Sequence, residues 1–233
     1  MTYKTDDPEL QIYVNDQMSI GSTPLKITKL DNNEYINIKI KKQHATRTYK
    51  LQTLPSSFPK ISLTGKSPYP GDYYSDSFKD TSNDSFIYKM NNSGQLLFYL
   101  KETINDLGSV ANFQKHKLSN GNILYSYFKP TNSTDTISVP GVTNGSIVIL
   151  NSQYQPIREL QLKKTNLVPE GGAVENHDFI LLDENHYILT AAPIRTRYIE
   201  SAKNYITLRE NYIQEIKDGK VVFEWLSSNH PIF

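Results

Sequence analysis

Residues 174–226 read VENHDFILLDENHYILTAAPIRTRYIESAKNYITLRENYIQEIKDGKVVFEWL, and this stretch sets the reading of the chain around it. His177-Asp178 opens an apolar run from Phe179 to Leu182, and the polar turn Asp183-Glu184-Asn185-His186 leads into a second run, Tyr187 to Leu189. The stretch closes on IQEI-KDG-KVVFEWL, two strand-like runs joined at Asp218-Gly219. Asp-Gly suits a tight hairpin, because Gly accepts positive φ without steric cost and Asp tolerates left-handed backbone.

The same patterns recur upstream. Ile213–Leu226 matches Ile87–Leu100 almost term for term, and Ile147–Leu160 keeps the pattern without the turn glycine. A second hairpin type pairs Leu118-Ser-Asn-Gly-Asn-Ile-Leu-Tyr-Ser126 with Leu182-Asp-Glu-Asn-His-Tyr-Ile-Leu-Thr190. Two hairpins, about four strands, thus return every ~60–66 residues, with irregular loops at 128–145 and 163–176. A four-stranded unit repeating in fixed order is what a β-propeller blade looks like in sequence, with insertions lengthening the usual ~40–50-residue period. The alternative is a plain β-meander in which common Asn-Gly and Asp-Gly hairpins coincide. Residues 66–233 hold about two and a half to three such blades, whereas a closed ring needs at least ~4. The expectation is therefore an incomplete propeller, completed by a homo-oligomer or by a further C-terminal half.

Ahead of the repeats, residues 1–65 read as a small antiparallel sheet or sandwich-like domain. Its runs are Leu10–Val14, Leu25–Leu30, Tyr35–Ile40, Arg47–Leu54 and Lys60–Leu63, with a turn at 31–34. Tyr35–Ile40 alternates apolar and polar with the period of two that a half-buried strand requires. Residues 66–85, rich in Pro, Gly, Asp and Ser, read as a connector with a turn at Pro70-Gly71 and a domain boundary near Gly65. The fold class is all-β.

Composition excludes several functions. With 25 basic and 24 acidic residues the net charge is +1, and the one basic run, Lys39-Ile-Lys-Lys42, reads as a solvated strand edge, so nucleic acid is rejected as a partner. The absence of cysteine removes disulfides, thiolate metal sites and cysteine nucleophiles. No apolar run approaches the ~20 residues of a membrane span. The start, MTYKTDDPEL, has no apolar signal-peptide core, which leaves a cytoplasmic protein or an export segment outside this chain. Sixteen tyrosines and abundant Asn, Ser and Thr favour strands and turns.

Of the five histidines, His44, His186 and His230 fall at turns or in a loose terminal segment. His116 and His177 each stand at the entrance to an inner-type strand, where propeller loops converge. Neighbours on a strand point to opposite faces, so Asp178 reads as a backbone or loop brace rather than the partner of the His177 imidazole. Arg195 and Arg197 follow the strand ending at Leu189 and could reach an anion by charge-assisted hydrogen bonds; solvated loop arginines are the plainer alternative. Phosphate loops, zinc signatures and a glycosidase carboxylate pair are all missing, so no cofactor and no metal is expected.

The run N-H-D-F-I-L-L-D-E-N-H-Y-I-L-T (176–190) followed by I-Q-E-I-K-D-G-K-V-V-F-E-W (213–225) resembles the bacterial arylsulfotransferase family, which does not use PAPS. Y-K-M-N-N-S-G-Q-L-L-F-Y-L (88–100) and H-K-L-S-N-G-N-I-L (116–124) fit its earlier blades, so the likeness covers roughly residues 50–226. The resemblance implies a six-bladed propeller behind a small N-terminal β-domain. It also implies sulfuryl transfer from a phenolic sulfate to a phenol acceptor, through a sulfated histidine, in an extracytoplasmic setting. His177 is similar to the family's first channel histidine, which helps bind the sulfuryl group, with His116 and Arg195 as further substrate-binding candidates. The family's Ala-His-x-Asn-Ser strand, the arginine after it and the nucleophilic histidine have no counterpart here, so no catalytic residue is assigned. The expectation is an inactive front portion, against the alternative of a non-catalytic module that binds a glycan, a peptide or a subunit.

Overall fold

The computed structural model describes residues 7, 9–19, 35–65, 70–77, 83–104, 108–131 and 144–230. The described chain is all-β and antiparallel, its only helical pieces being two three-residue 3-10 turns. No closed barrel or ring forms among these residues. No helix among them is long and apolar enough to cross a membrane. The chain divides into two compact units, Met1–Ile61 with Phe98–Leu100, and Ser62–Leu97 with Lys101–Phe233.

In the first unit, β1 (Gln11–Val14), β2 (Gln17–Ser19), β3 (Tyr35–Lys42) and β4 (Ala45–Gln52) form one sheet in the order β2-β1-β3-β4. The lysines of 39–42 lie on β3, where Lys39 pairs with Asp16 and Lys42 with Asp7. β4 is exposed along nearly its whole length. Lys60–Leu63, expected as a strand, is irregular, because no neighbouring strand takes up its backbone groups. The expected run Leu25–Leu30 and the turn at 31–34 lie outside the described residues.

Residues 66–85 are not simply a connector: β5 (Asp72–Asp76) pairs along its length with β6 (Asp84–Asn91), which continues into β7 (Leu96–Thr103). Tyr73 and Tyr74 carry the strand, but the surrounding Pro, Gly, Asp and Ser dominate the composition.

Next, β8 (Ala111–Lys117), β9 (Ile123–Pro130), β10 (Asn144–Leu150) and β11 (Pro156–Leu160) make a sequential four-stranded meander, with β12 (Val174–Glu175) added beside β10. Then β13 (Phe179–Asp183), β14 (His186–Ala191), β17 (Tyr212–Lys217) and β18 (Lys220–Leu226) make another, with the separate hairpin β15 (Ile194–Ile199) and β16 (Asn204–Arg209) inserted between its second and third strands. IRTRYI and NYITLR both alternate with the strand period, which suits them to this hairpin. The Asp218-Gly219 turn has φ of 51° and 75°, the left-handed pair expected of a two-residue hairpin.

Burial along the strands shows how the sheets stack. β9 and β10 are buried on both faces, whereas β13 and β14 alternate. One face of the β8–β11 sheet meets β5 through Tyr74, whose ring lies 5.6 Å from Phe113 and 5.9 Å from Tyr125. The other face supplies Leu124, Phe128, Ile147 and Ile149 to a core completed by Phe179, Leu181, Leu189, Tyr212 and Ile216 of the following sheet. Contacts between the first strands of these two sheets advance in step, from Asn112 with His177, through His116 with Phe179, to Asn120 with Glu184. β8 and β13 therefore run in the same direction, each leading its own sheet.

Candidate functional site

The chain crosses from one stacked sheet to the next between β12 and β13. Glu175 pairs through its backbone with Asn144 of β10, and two residues later His177 sits in the bend that leads to Phe179. Across this bend Glu175 meets His177 twice: its Oε2 accepts the His177 backbone N–H at 3.0 Å and also contacts the imidazole Nδ1. The other oxygen, Oε1, accepts the hydroxyl of Thr190 on β14, and that hydroxyl also lies 2.9 Å from the Asp178 carbonyl. Glu175 therefore ties the β8–β11 sheet, which β12 joins, to the sheet of β13 and β14.

The carboxylate is nearly covered, with 11% of its side chain exposed, while the His177 side chain is 56% exposed. Burial pushes the Glu175 carboxyl up, but the hydrogen bonds from Thr190 and His177 outweigh it and hold the group below its ordinary value. Glu175 is thus an anion at neutral pH, able only to accept hydrogen bonds. With Nδ1 taken by that anion, Nε2 is the His177 atom left without a protein partner among the described residues.

β8 supports the bend from the other side. Asn112, with φ of 57°, sits in a bulge of β8 and donates from Nδ2 to the His177 carbonyl at 3.0 Å. Gln114 Nε2 donates to the Asn112 side-chain oxygen. The backbone N–H groups of Asn112 and Phe113 donate to Asp76 at the end of β5. Burial pushes the Asp76 carboxyl up despite those two donors. Three successive sheets thus converge on one bend.

The three sequence candidates do not share this bend. His116 is next to last in β8 rather than at its entrance, and its ring lies edge-on 5.7 Å from Phe179 with Nε2 hydrogen-bonded to Ser126 at 2.7 Å. Burial pushes its pKa down, so it is a neutral packing histidine between two sheets. Arg195 belongs to the β15–β16 hairpin and lines a cavity of about 520 Å3 together with Leu162, Val168, Pro169, Ala191 and Pro193. Its guanidinium donates to the Leu167 carbonyl and lies 3.5 Å from Glu210, which also takes Arg197. Only 2% of the Glu210 side chain is exposed, and its single negative charge is shared by the two arginines, which leaves the cluster a net charge of +1. His177 alone of the three faces outward.

The other histidines are accounted for. His186 pairs with Glu215 at 2.6 Å, and His230 stacks on Trp225 at 5.3 Å. His44 lies exposed in the β3–β4 turn of the first unit. Among the described residues no three acidic or histidine side chains are grouped as a metal would require. Sequence reasoning missed Glu175, Asn112 and Asp76. Only Glu175 carried a signal, its i, i+2 relation to His177.

No protein-family model, curated protein or solved structure matches this chain.

Proposed function

We propose that the stacked sheets are successive blades of a propeller resembling those of arylsulfotransferases, and that His177 holds the sulfuryl group of an aryl sulfate ester. The reading is carried by the Glu175–His177 pair at the bend between sheets. A half-exposed imidazole braced by an anionic carboxylate can offer Nε2–H to an anionic oxygen in its protonated form. Two like-ordered meanders whose first strands run the same way support the propeller part of the reading.

His177 acts here as a binding group, because each of the other four histidines is committed elsewhere or lies in the other unit. The 233 residues are accordingly expected to bind an aryl sulfate without cleaving it. Titrating phenyl sulfate while following the imidazole signals should give a saturable shift of His177 that His177→Gln abolishes, with no phenol released. Unmoved His177 signals would sink the assignment, and rapid phenol release would overturn the non-catalytic part of it.

A second reading, a module that assembles with other subunits, draws on one observation. Ile180 and Leu182 of β13 and Phe223 of β18 remain 51%, 46% and 50% exposed on the final sheet. Light scattering decides that reading: a stable monomer at high concentration counts against it.

A further inference from the structure

We infer that Glu175 is a positioning residue that fixes His177 in its Nδ1–H tautomer, making Nε2 the atom offered to a ligand. The ligand's identity rests on the aryl sulfate reading, whereas the tautomer rests on geometry alone.

A carboxylate has no hydrogen to give, so its contact with Nδ1 exists only when Nδ1 carries one. In a neutral imidazole that leaves Nε2 with the lone pair. Glu175 is not free to turn away. Thr190 holds Oε1, the His177 backbone N–H holds Oε2 together with Nδ1, and the strand carrying Glu175 is paired to β10. His177 is itself held at its carbonyl by Asn112 of β8, so both ends of the pair are anchored, His177 by β8 and Glu175 by β10 and by Thr190 of β14. A histidine that served only to fill space would need no such arrangement, as His116 demonstrates with its single hydroxyl partner and its ring against Phe179.

The consequence for chemistry is directional. In its neutral form Nε2 accepts a hydrogen bond from a phenol hydroxyl, the O–H bond staying intact. Once protonated, the same Nε2–H donates to an anionic sulfuryl oxygen. One atom can thereby hold either a phenol or a sulfate ester.

The test is nitrogen NMR of the imidazoles in the 15N-labelled 233-residue chain, held well above the ordinary histidine range so that the rings are neutral, with His177→Gln identifying the signals. Wild-type His177 should show a protonated Nδ1 and a bare Nε2. Glu175→Ala should move it to the Nε2–H form or a mixture, while Asp178→Asn leaves it unchanged. Should Glu175→Ala not fold, Thr190→Ala releases one Glu175 oxygen and should shift the tautomer part of the way. A wild-type His177 already in the Nε2–H form, or one indifferent to loss of Glu175 or of its Thr190 anchor, overturns the inference. Phenyl sulfate, titrated below the ordinary histidine range where Nε2 carries a proton, separates the two ideas: its affinity should fall about tenfold in Glu175→Ala, which no longer orients the ring. A tautomer that shifts in a protein that never binds phenyl sulfate upholds Glu175 and discards the aryl sulfate. Unchanged tautomer and affinity in a protein that binds it do the reverse.

Discussion

The sheet β8–β11 and the sheet of β13, β14, β17 and β18 have the same strand order, yet their outward faces have opposite characters. In the repeat, Ile149 corresponds to Glu215 and His116 to Ile180. Ile149 is fully buried against the following sheet, whereas Glu215 stays partly exposed and pairs with His186. His116 is packed between sheets, whereas Ile180 stands half exposed. Strand order is thus a property of the hairpins, while the polarity of each face follows from what covers it.

The largest effect expected from this contrast is at the paired positions themselves. Ile149→Glu places a charge in the shared core and should cost about 4 kcal/mol, enough to unfold a marginal domain. Glu215→Ile, at the matching place one sheet on, should stay within about 1 kcal/mol. Urea midpoints for the two variants measure the difference, and similar losses would mean that the two faces are not distinguished by cover.

A second contrast lies in two turns of the same shape. Asn91 Oδ1 accepts the N–H groups of Ser93 and Gln95, and Asn151 Oδ1 accepts those of Gln153 and Gln155 in the same way. The left-handed position is Gly94 in the first turn, with φ of 80°, and Tyr154 in the second, with φ of 62°. Gly94→Ala should cost about 1 kcal/mol, since an alanine is strained at that φ. Tyr154→Gly relieves the same strain but removes a ring 4.5 Å from Tyr125, so it too should lose about 1 kcal/mol. Thermal unfolding of both variants checks this, and a stabilised Tyr154→Gly would mean that the ring contact contributes little.

The smallest effect is a pH dependence. Burial holds folded His116 below its ordinary value, so as pH falls the unfolded chain takes up the proton first. The stability contribution is complete above about pH 6.5 and is lost as pH drops through the folded value. His116→Gln should flatten stability across that window, on top of a pH-independent loss from its packing against Phe179, as urea titrations at a series of pH values will record.

Much of the second unit was legible because its signals are local. Asn-Gly and Asp-Gly between apolar runs dictate hairpins, and the β8–β9 and β17–β18 hairpins stand at Asn120-Gly121 and Asp218-Gly219. Even the turn that lost its glycine keeps its form, because Asn151 still accepts the turn's N–H groups. Local composition misled at β5, where two tyrosines are enough for a strand once β6 lies alongside. It misled again at Lys60–Leu63, where an apolar run finds no partner strand.

By itself, the sequence determined the strand class, the hairpins and the candidacy of His177, since turn geometry and two-residue periodicity act over a few neighbouring residues. Only the tertiary structure decided what those pieces do. Arg195 shares one buried glutamate with Arg197, and His116 is closed between sheets. His177 acquires its carboxylate from Glu175 and its backbone anchor from Asn112, 65 positions away. Hydrogen bonds and burial depend on which sheet faces which, and that is set by long-range stacking of apolar faces rather than by any short run of residues.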